Sequence, residues 1–144
     1  MNAKTFLTEI EQKDLEGSIQ EAEEKTSGEI RVHMENCCND PFERGKEVFT
    51  LLRMHETTEK NGVLFYLAVA DRKFAILGDE GINSKVPADF WDEIKTVMVQ
   101  EFAQGRFFQG LRIGILMAGD QLAAFFPAKS TDTNELPNTI SFGD

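Results

Sequence analysis

The densest group of residues with the chemistry to hold a ligand is Gly78-Asp79-Glu80-Gly81-Ile82-Asn83, two carboxylates and an amide set among glycines. Hard cations such as Ca²⁺ take six to eight oxygens at about 2.3–2.6 Å, and a glycine-rich loop offers backbone carbonyls beside its acids. Asp71 is a further acid, but a short apolar segment, 73–77, separates it from Asp79. At about 3.3 Å per residue, an extended chain sets the two aspartates roughly 25 Å apart, too far to share one ion. Cys38 and Arg44 have the C-x5-R spacing of a cysteine-phosphatase loop. Such a loop holds phosphate through backbone N–H groups and positive potential. Here Asp40 and Glu43 add negative charge, Pro41 lacks an N–H and glycine is absent, so the spacing is read as coincidence. His33 and His55 stand apart, Cys37 and Cys38 are adjacent, and the chain has neither an HExxH pattern nor a spaced cysteine pair to make a zinc site. A Walker loop, a nucleophile elbow and a dinucleotide fingerprint are likewise missing from the sequence.

Which acids can meet depends on the elements that carry them. Thr8 with Glu11 makes a capping box, and Leu15, Ile19 and Ala22 then recur at helical spacing up to Ser27-Gly28. Ile30, Val32 and Met34 alternate with Glu29, Arg31, His33 and Glu35, the pattern of a strand with one polar face. Asp40-Pro41-Phe42-Glu43 starts a helix with Phe42, Val48, Phe49 and Leu52 on its apolar side, and 54–60 reads as loop. The apolar run 63–70 is a central strand buried on both faces, and Asp71-Arg72 turns it into a return strand, 73–77. Pro87 opens a helix that carries Phe90, Ile94, Val97, Met98 and Phe102 and ends near Gly105. A last helix, about 110–126, is apolar nearly all round; Gly110, Gly114 and Ala118 would let it approach a neighbour closely. The helix between the first two strands makes them parallel. The expectation is therefore a three-layer α/β/α sandwich with a small mixed sheet, over residues 1–127. Residues 128–144 form a polar tail, flexible by default, with Leu136, Ile140 and Phe142 as its only anchors.

That topology decides the acids. If the first two strands are parallel, Glu29 starts at the sheet end where the return strand finishes, so Glu29, Asp79, Glu80 and Asn83 lie at one end. Asp71 falls at the other, near Asn36, Asn39 and Asp40, the strand ends where open α/β sheets usually bind ligands. The plain alternative for Asp71 is a hairpin turn residue.

Charge narrows the partners. With 15 basic and 25 acidic residues the chain carries a formal net charge of −10. That field repels phosphate backbones and anionic headgroups, so nucleic acid and membrane surfaces are not expected partners, while divalent cations are. Residues 1–11 hold one lysine and no apolar signal stretch, and the uncharged apolar run 113–119 is too short to span a bilayer. Together with the absence of a disulfide framework, this predicts a cytoplasmic protein of one domain.

An ordered set of short motifs resembles the TPM domain, also called the thylakoid-lumen-phosphatase-like domain. It comprises Ser27-Gly28-Glu29-Ile30, Asn61-Gly62-Val63-Leu64, Asp71-Arg72, the glycines of Gly78-Asp79-Glu80-Gly81, and Gly105-Arg106-Phe107-Phe108-Gln109-Gly110-Leu111. The resemblance, over about 5–127, implies an α/β/α sandwich, divalent-cation binding (calcium or magnesium) in some members, and a phosphatase assignment. Many relatives are secreted or membrane-tethered, devices this sequence does not display. Where many relatives place an aromatic between the two glycines this chain has Asp79, an added acidic ligand candidate. The leading expectation is a divalent-cation-binding module using Glu29, Asp79 and Glu80, with Asn83 and, at the other end, Asp71 as further ligands. A metal-dependent phosphatase is the second reading, underfurnished because Lys85 is the only cation in the acidic loop. A protein-interaction module using residues 135–142 is the third.

Overall fold

The computed structural model describes residues 2–129 and 134–143. The order of elements is α1 (Ala3–Phe6), α2 (Glu9–Glu23), β1 (Glu29–Glu35), α3 (Pro41–Leu51), a 3-10 turn (Met54–Glu56), β2 (Gly62–Ala68) and β3 (Lys73–Gly78). It continues with α4 (Glu80–Asn83), α5 (Asp92–Ala103), α6 (Phe107–Leu122) and β4 (Ser141–Phe142). The local signals behave as their chemistry requires. Thr8 Oγ1 accepts from the Glu11 N–H while the Glu11 carboxylate accepts from the Thr8 N–H, closing the capping box of α2. Asp40 Oδ1 accepts from the N–H groups of Phe42 and Glu43, with Pro41 at the first helical position of α3.

The sheet has the order β3-β2-β1-β4. β1 and β2 are parallel, in register from Glu29 opposite Gly62 to Glu35 opposite Ala68. β3 returns antiparallel, with Gly78 opposite Val63 and Lys73 opposite Ala68. Helices cover both faces, giving the expected sandwich. On one face Ile30, Val32, Met34, Val63, Phe65, Leu67 and Ile76 meet the apolar sides of α2, α5 and α6 in the main core. On the other, Leu64, Tyr66, Ala68, Ala75 and Leu77 form a lesser core with Val48 of α3, Met54 and Leu136. The small residues of α6 serve close approach. A Cβ at Gly110 would run into the Phe102 ring, and one at Gly114 into Met98 of α5.

Four expectations change. The helix expected from Pro87 begins at Asp92, because 87–91 form hydrogen-bonded turns that turn Phe90 and Trp91 edge to face at 4.8 Å. The last helix starts earlier, at Phe107, after Gly105 takes the left-handed conformation (φ 76°). The glycine-set acidic loop contains a helical turn, α4, for which Asp79 is the N-cap. The fourth change is the largest. Of the tail expected to be flexible by default, residues 134–143 are docked along β1 through the anchors named for it: β4 pairs parallel with β1, His33 opposite Ser141 and Met34 opposite Phe142, and Leu136 and Ile140 are buried. Of the segment 128–134, residues 130–133 lie outside the described residues.

Candidate functional site

Glu29 and Asp79 do lie at the same end of the sheet, since the Asp79 N–H donates to the carbonyl of Gly62, the residue opposite Glu29. They belong to strands two apart, a backbone separation of about 10 Å. Asp79 and Asn83 line one cleft of about 430 Å³ between α3, β3 and α5, whereas Glu29 lines another, beside Asn134 and Asn138. The Glu29 carboxylate oxygen Oε1 accepts from the N–H groups of Glu135 and Leu136, at 2.5 and 2.7 Å. Glu80 is exposed at the start of α4, and Asn83 Nδ2 donates to the Gly78 carbonyl at 3.1 Å. Asp79 divides its carboxylate. Oδ1 caps α4 by accepting from the Glu80 N–H at 2.8 Å, while Oδ2 is shut off from solvent with no hydrogen-bond donor. Among the described residues no three His, Cys, Asp or Glu side chains are grouped to hold a metal ion.

Sequence reasoning missed the cations of the Asp79 cleft. Lys46 comes from α3 and Lys95 from α5, joined there by Thr50 and the ring of Trp91. Lys85, the one cation near in sequence, instead lies over the Phe126 ring, 4.5 Å from its centroid. A periodicity reading gives each helix its apolar side but not which strand end its polar side overhangs.

At the opposite sheet end Asp71 is exposed, and its Oδ2 accepts from the Cys38 N–H at 2.9 Å. Asn36 accepts from the Ala3 N–H and Asp40 caps α3, so the three oxygens each serve a backbone donor. Arg44, the arginine of the C-x5-R spacing, is committed as well. Its Nε and Nη2 form a fork onto the Glu35 carboxylate, at 2.7 and 3.1 Å.

That fork belongs to a buried polar row that the alternation of β1 disguised. Glu29, Arg31, His33 and Glu35 were expected on a polar strand face, and all four are buried. Glu35, 2% exposed, accepts from Arg44, from the Tyr66 hydroxyl at 2.5 Å, and pairs with His33 Nε2 at 3.1 Å. His33 Nδ1 meets the Ser141 hydroxyl at 2.8 Å, and the His33 and Tyr66 rings stack. Burial alone would raise the Glu35 carboxyl, but the hydrogen bonds from Arg44, Tyr66 and His33 outweigh it and hold the group at about 2. Burial lowers His33, against its bond to Glu35, and burial with the hydrogen bond to Glu35 pushes the Tyr66 phenol up. Beside this row, Glu23 of α2 accepts from the Ile30 N–H at 2.8 Å, and burial pushes its carboxyl up to about 8. The signal available in the sequence was the apolar Ile140 and Phe142 around Ser141, a short alternation that fits a strand.

A three-layer sandwich with a parallel first strand pair, a return hairpin and an acidic helical turn defines a small α/β domain of one class. The family model described as the TPM domain, TPM_phosphatase, matches residues 1–121, and the chain belongs to the TPM-domain family. The BA42 protein of the psychrophilic bacterium Bizionia argentinensis, solved by NMR, is similar at 50% identity over 97% of both chains, with a TM-score of 0.92. The N-terminal domain of a P. gingivalis protein, also solved by NMR, is similar in fold alone. Its TM-score is 0.67, at 19% identity over 85% of this chain and 80% of that one. Among curated proteins no match is found. Within the described residues no helix is long and apolar enough to cross a membrane.

Proposed function

We propose that this TPM domain is a binding module for a divalent cation, calcium or magnesium, with Asp79 as the carboxylate that meets the ion. The observation that carries the reading is Asp79 Oδ2, a carboxylate oxygen closed to water and without a donor. Leaving such a group unsatisfied costs about 1–3 kcal/mol or more, which a bound cation would offset. Mg²⁺ keeps several waters and needs only one or two carboxylates, so the reading does not require the full set of acids to converge. Asn83 lines the same cleft and Glu80 follows Asp79, exposed, in the chain; Glu29, engaged by two amides, is not part of this site. The test is a magnesium and calcium titration followed by amide NMR shifts. Shifts at residues 78–83 that disappear in Asp79→Asn support the proposal. Shifts at 36–40 and Asp71 would move the site to the opposite end, and no shift at either end rejects it.

One observation favours the phosphatase as a second reading. Lys46 and Lys95 line the Asp79 cleft, the Lys46 ammonium paired with Glu43 at 3.1 Å, and lysines lining a cleft with an ion-binding carboxylate suit phosphate oxygens. The bound cation would polarise a phosphoryl oxygen. Magnesium-dependent hydrolysis of p-nitrophenyl phosphate that falls at least tenfold in Lys46→Ala and Lys95→Ala supports this reading, and hydrolysis indifferent to both variants removes it.

A further inference from the structure

Residues 134–143 lie along β1 much as a bound peptide would. We propose that the polar face and outer edge of β1 form a peptide-binding groove, filled here by the chain's own segment and able to take an extended strand from a partner protein. The contacts are mostly to main chain. Glu29 takes the successive N–H groups of Glu135 and Leu136. Arg31 donates through Nη2 to the Thr139 carbonyl at 3.2 Å, and Glu16 of α2 takes the Ile140 N–H at 3.2 Å. The Gly143 N–H donates to the Met34 carbonyl at 2.8 Å. Groups that grip a backbone are what strand addition at a sheet edge uses for affinity, while pockets for alternate side chains supply selectivity. Those pockets are identifiable. Leu136 enters the lesser core, Ile140 the main core, and Ser141 faces His33. Any side chain at position 143 would strike Glu35 Oε1 and His33 Nε2. The partner's chemistry follows: a leucine, then four residues on an aliphatic, hydroxyl, aromatic and glycine run in extended form.

Three observations separate the groove from its occupant. Glu16, Glu29, Arg31, His33, Met34 and Glu35 all lie within the family-matched residues 1–121, and the segment lies beyond them. The seating is partial, since β4 pairs with only His33 and Met34 of the 7-residue β1; Glu23 takes the Ile30 N–H, and the rest of an edge strand without a ladder partner is a template for another chain. A cavity of about 240 Å³ remains between Glu23, Glu29, Asn134 and Asn138, and Arg31 Nε is buried without a hydrogen-bond partner.

The test uses the full chain and a dye-labelled peptide of residues 134–143. Gly143→Val should unseat the segment sterically while leaving the body intact. A tethered segment acts at an effective concentration on the order of 1 mM, so a peptide with a dissociation constant of ~10 μM would meet roughly 100-fold competition in the unmodified chain. The variant should therefore bind the peptide about 100-fold more tightly, with amide shifts at Arg31, His33 and Met34, and the Gly143→Val peptide should bind neither protein. A folded variant that ignores the peptide, or shifts located away from β1, overturns the proposal. So does a concentration-dependent dimer of the unmodified chain without any gain in the variant, which would mean exchange between copies. Should the variant not fold, hydrogen exchange of the unmodified chain decides. The amides of Glu135, Leu136, Ile140 and Gly143 must exchange together, at least tenfold faster than those of β2. Equal protection overturns the groove.

Discussion

Tyr66→Phe isolates the bond that most directly ties β2 to the buried row of β1. The tyrosine is fully buried and its hydroxyl donates to Glu35 at 2.5 Å, so removing one oxygen leaves the ring packed and takes away that bond. A hydrogen bond to a charged acceptor contributes about 1.5–3 kcal/mol, and Arg44 and His33 still hold the carboxylate, so ~2 kcal/mol is the expected loss near neutral pH. At 1.36 kcal/mol per unit, that loss equals a rise of roughly 1.5 units in the Glu35 pKa, up from about 2. The sign is fixed by the direction of the shift. Glu35 titrates lower when folded than its ordinary 4.5, so its stabilisation is present above 4.5 and lost as pH falls toward 2. The variant should thus lose the full amount at pH 7 and much less at pH 2, where the unfolded carboxyl is protonated and the folded one is already about half protonated. Urea melts at the two pH values measure the difference, and carboxyl NMR titration reads the pKa itself. An equal loss at both pH values, or an unmoved Glu35 titration, would show that the hydroxyl does not support the charge.

Glu23 predicts the opposite slope. Its carboxyl is raised, first by burial and further by the Glu29 charge, so its contribution is complete below 4.5 and lost as pH rises through about 8. Stability should therefore fall by roughly 4 kcal/mol between pH 5 and pH 8.5, a decline that Glu23→Gln should flatten; parallel pH profiles for the two proteins count against it. Gly81→Ala should destabilise by about 1–3 kcal/mol in thermal melts although alanine is the better helix former, because its Cβ would strike the carbonyl oxygens of Glu59 and Lys60. An unchanged melting temperature would show that this backbone yields freely. Leu67→Asp should abolish the folded state, seen by circular dichroism, since it buries an unpaired charge in the main core; a cooperative melt in the variant would contradict the core assignment.

What the sequence determined by itself is what short-range physics controls. Thr8 with Glu11 and Asp40 with Pro41 start their helices because a cap and its amides lie within a single turn of chain. The alternation in 29–35, the apolar run after Gly62 and the Asp71-Arg72 turn set three strands and their directions, and the helix between the first two makes that pair parallel. The motifs strung along those elements were enough for the family. Chain direction even brought Glu29 and Asp79 to one sheet end. Only the tertiary structure decided what those acids touch. A period of two marks Glu29, Arg31, His33 and Glu35 as sharing a face, but it says nothing about whether water or protein covers that face. Protein covers it, supplied by residues 134–143, about a hundred positions away in sequence and invisible to any local window. The same holds for Lys46 and Lys95, which reach the Asp79 cleft because α3 and α5 pack on opposite faces of the sheet and both overhang β3 there. Hydrogen bonds and ion pairs act over about 3 Å, so their partners are chosen by the packing of whole elements, and periodicity fixes only the side from which each element presents its residues.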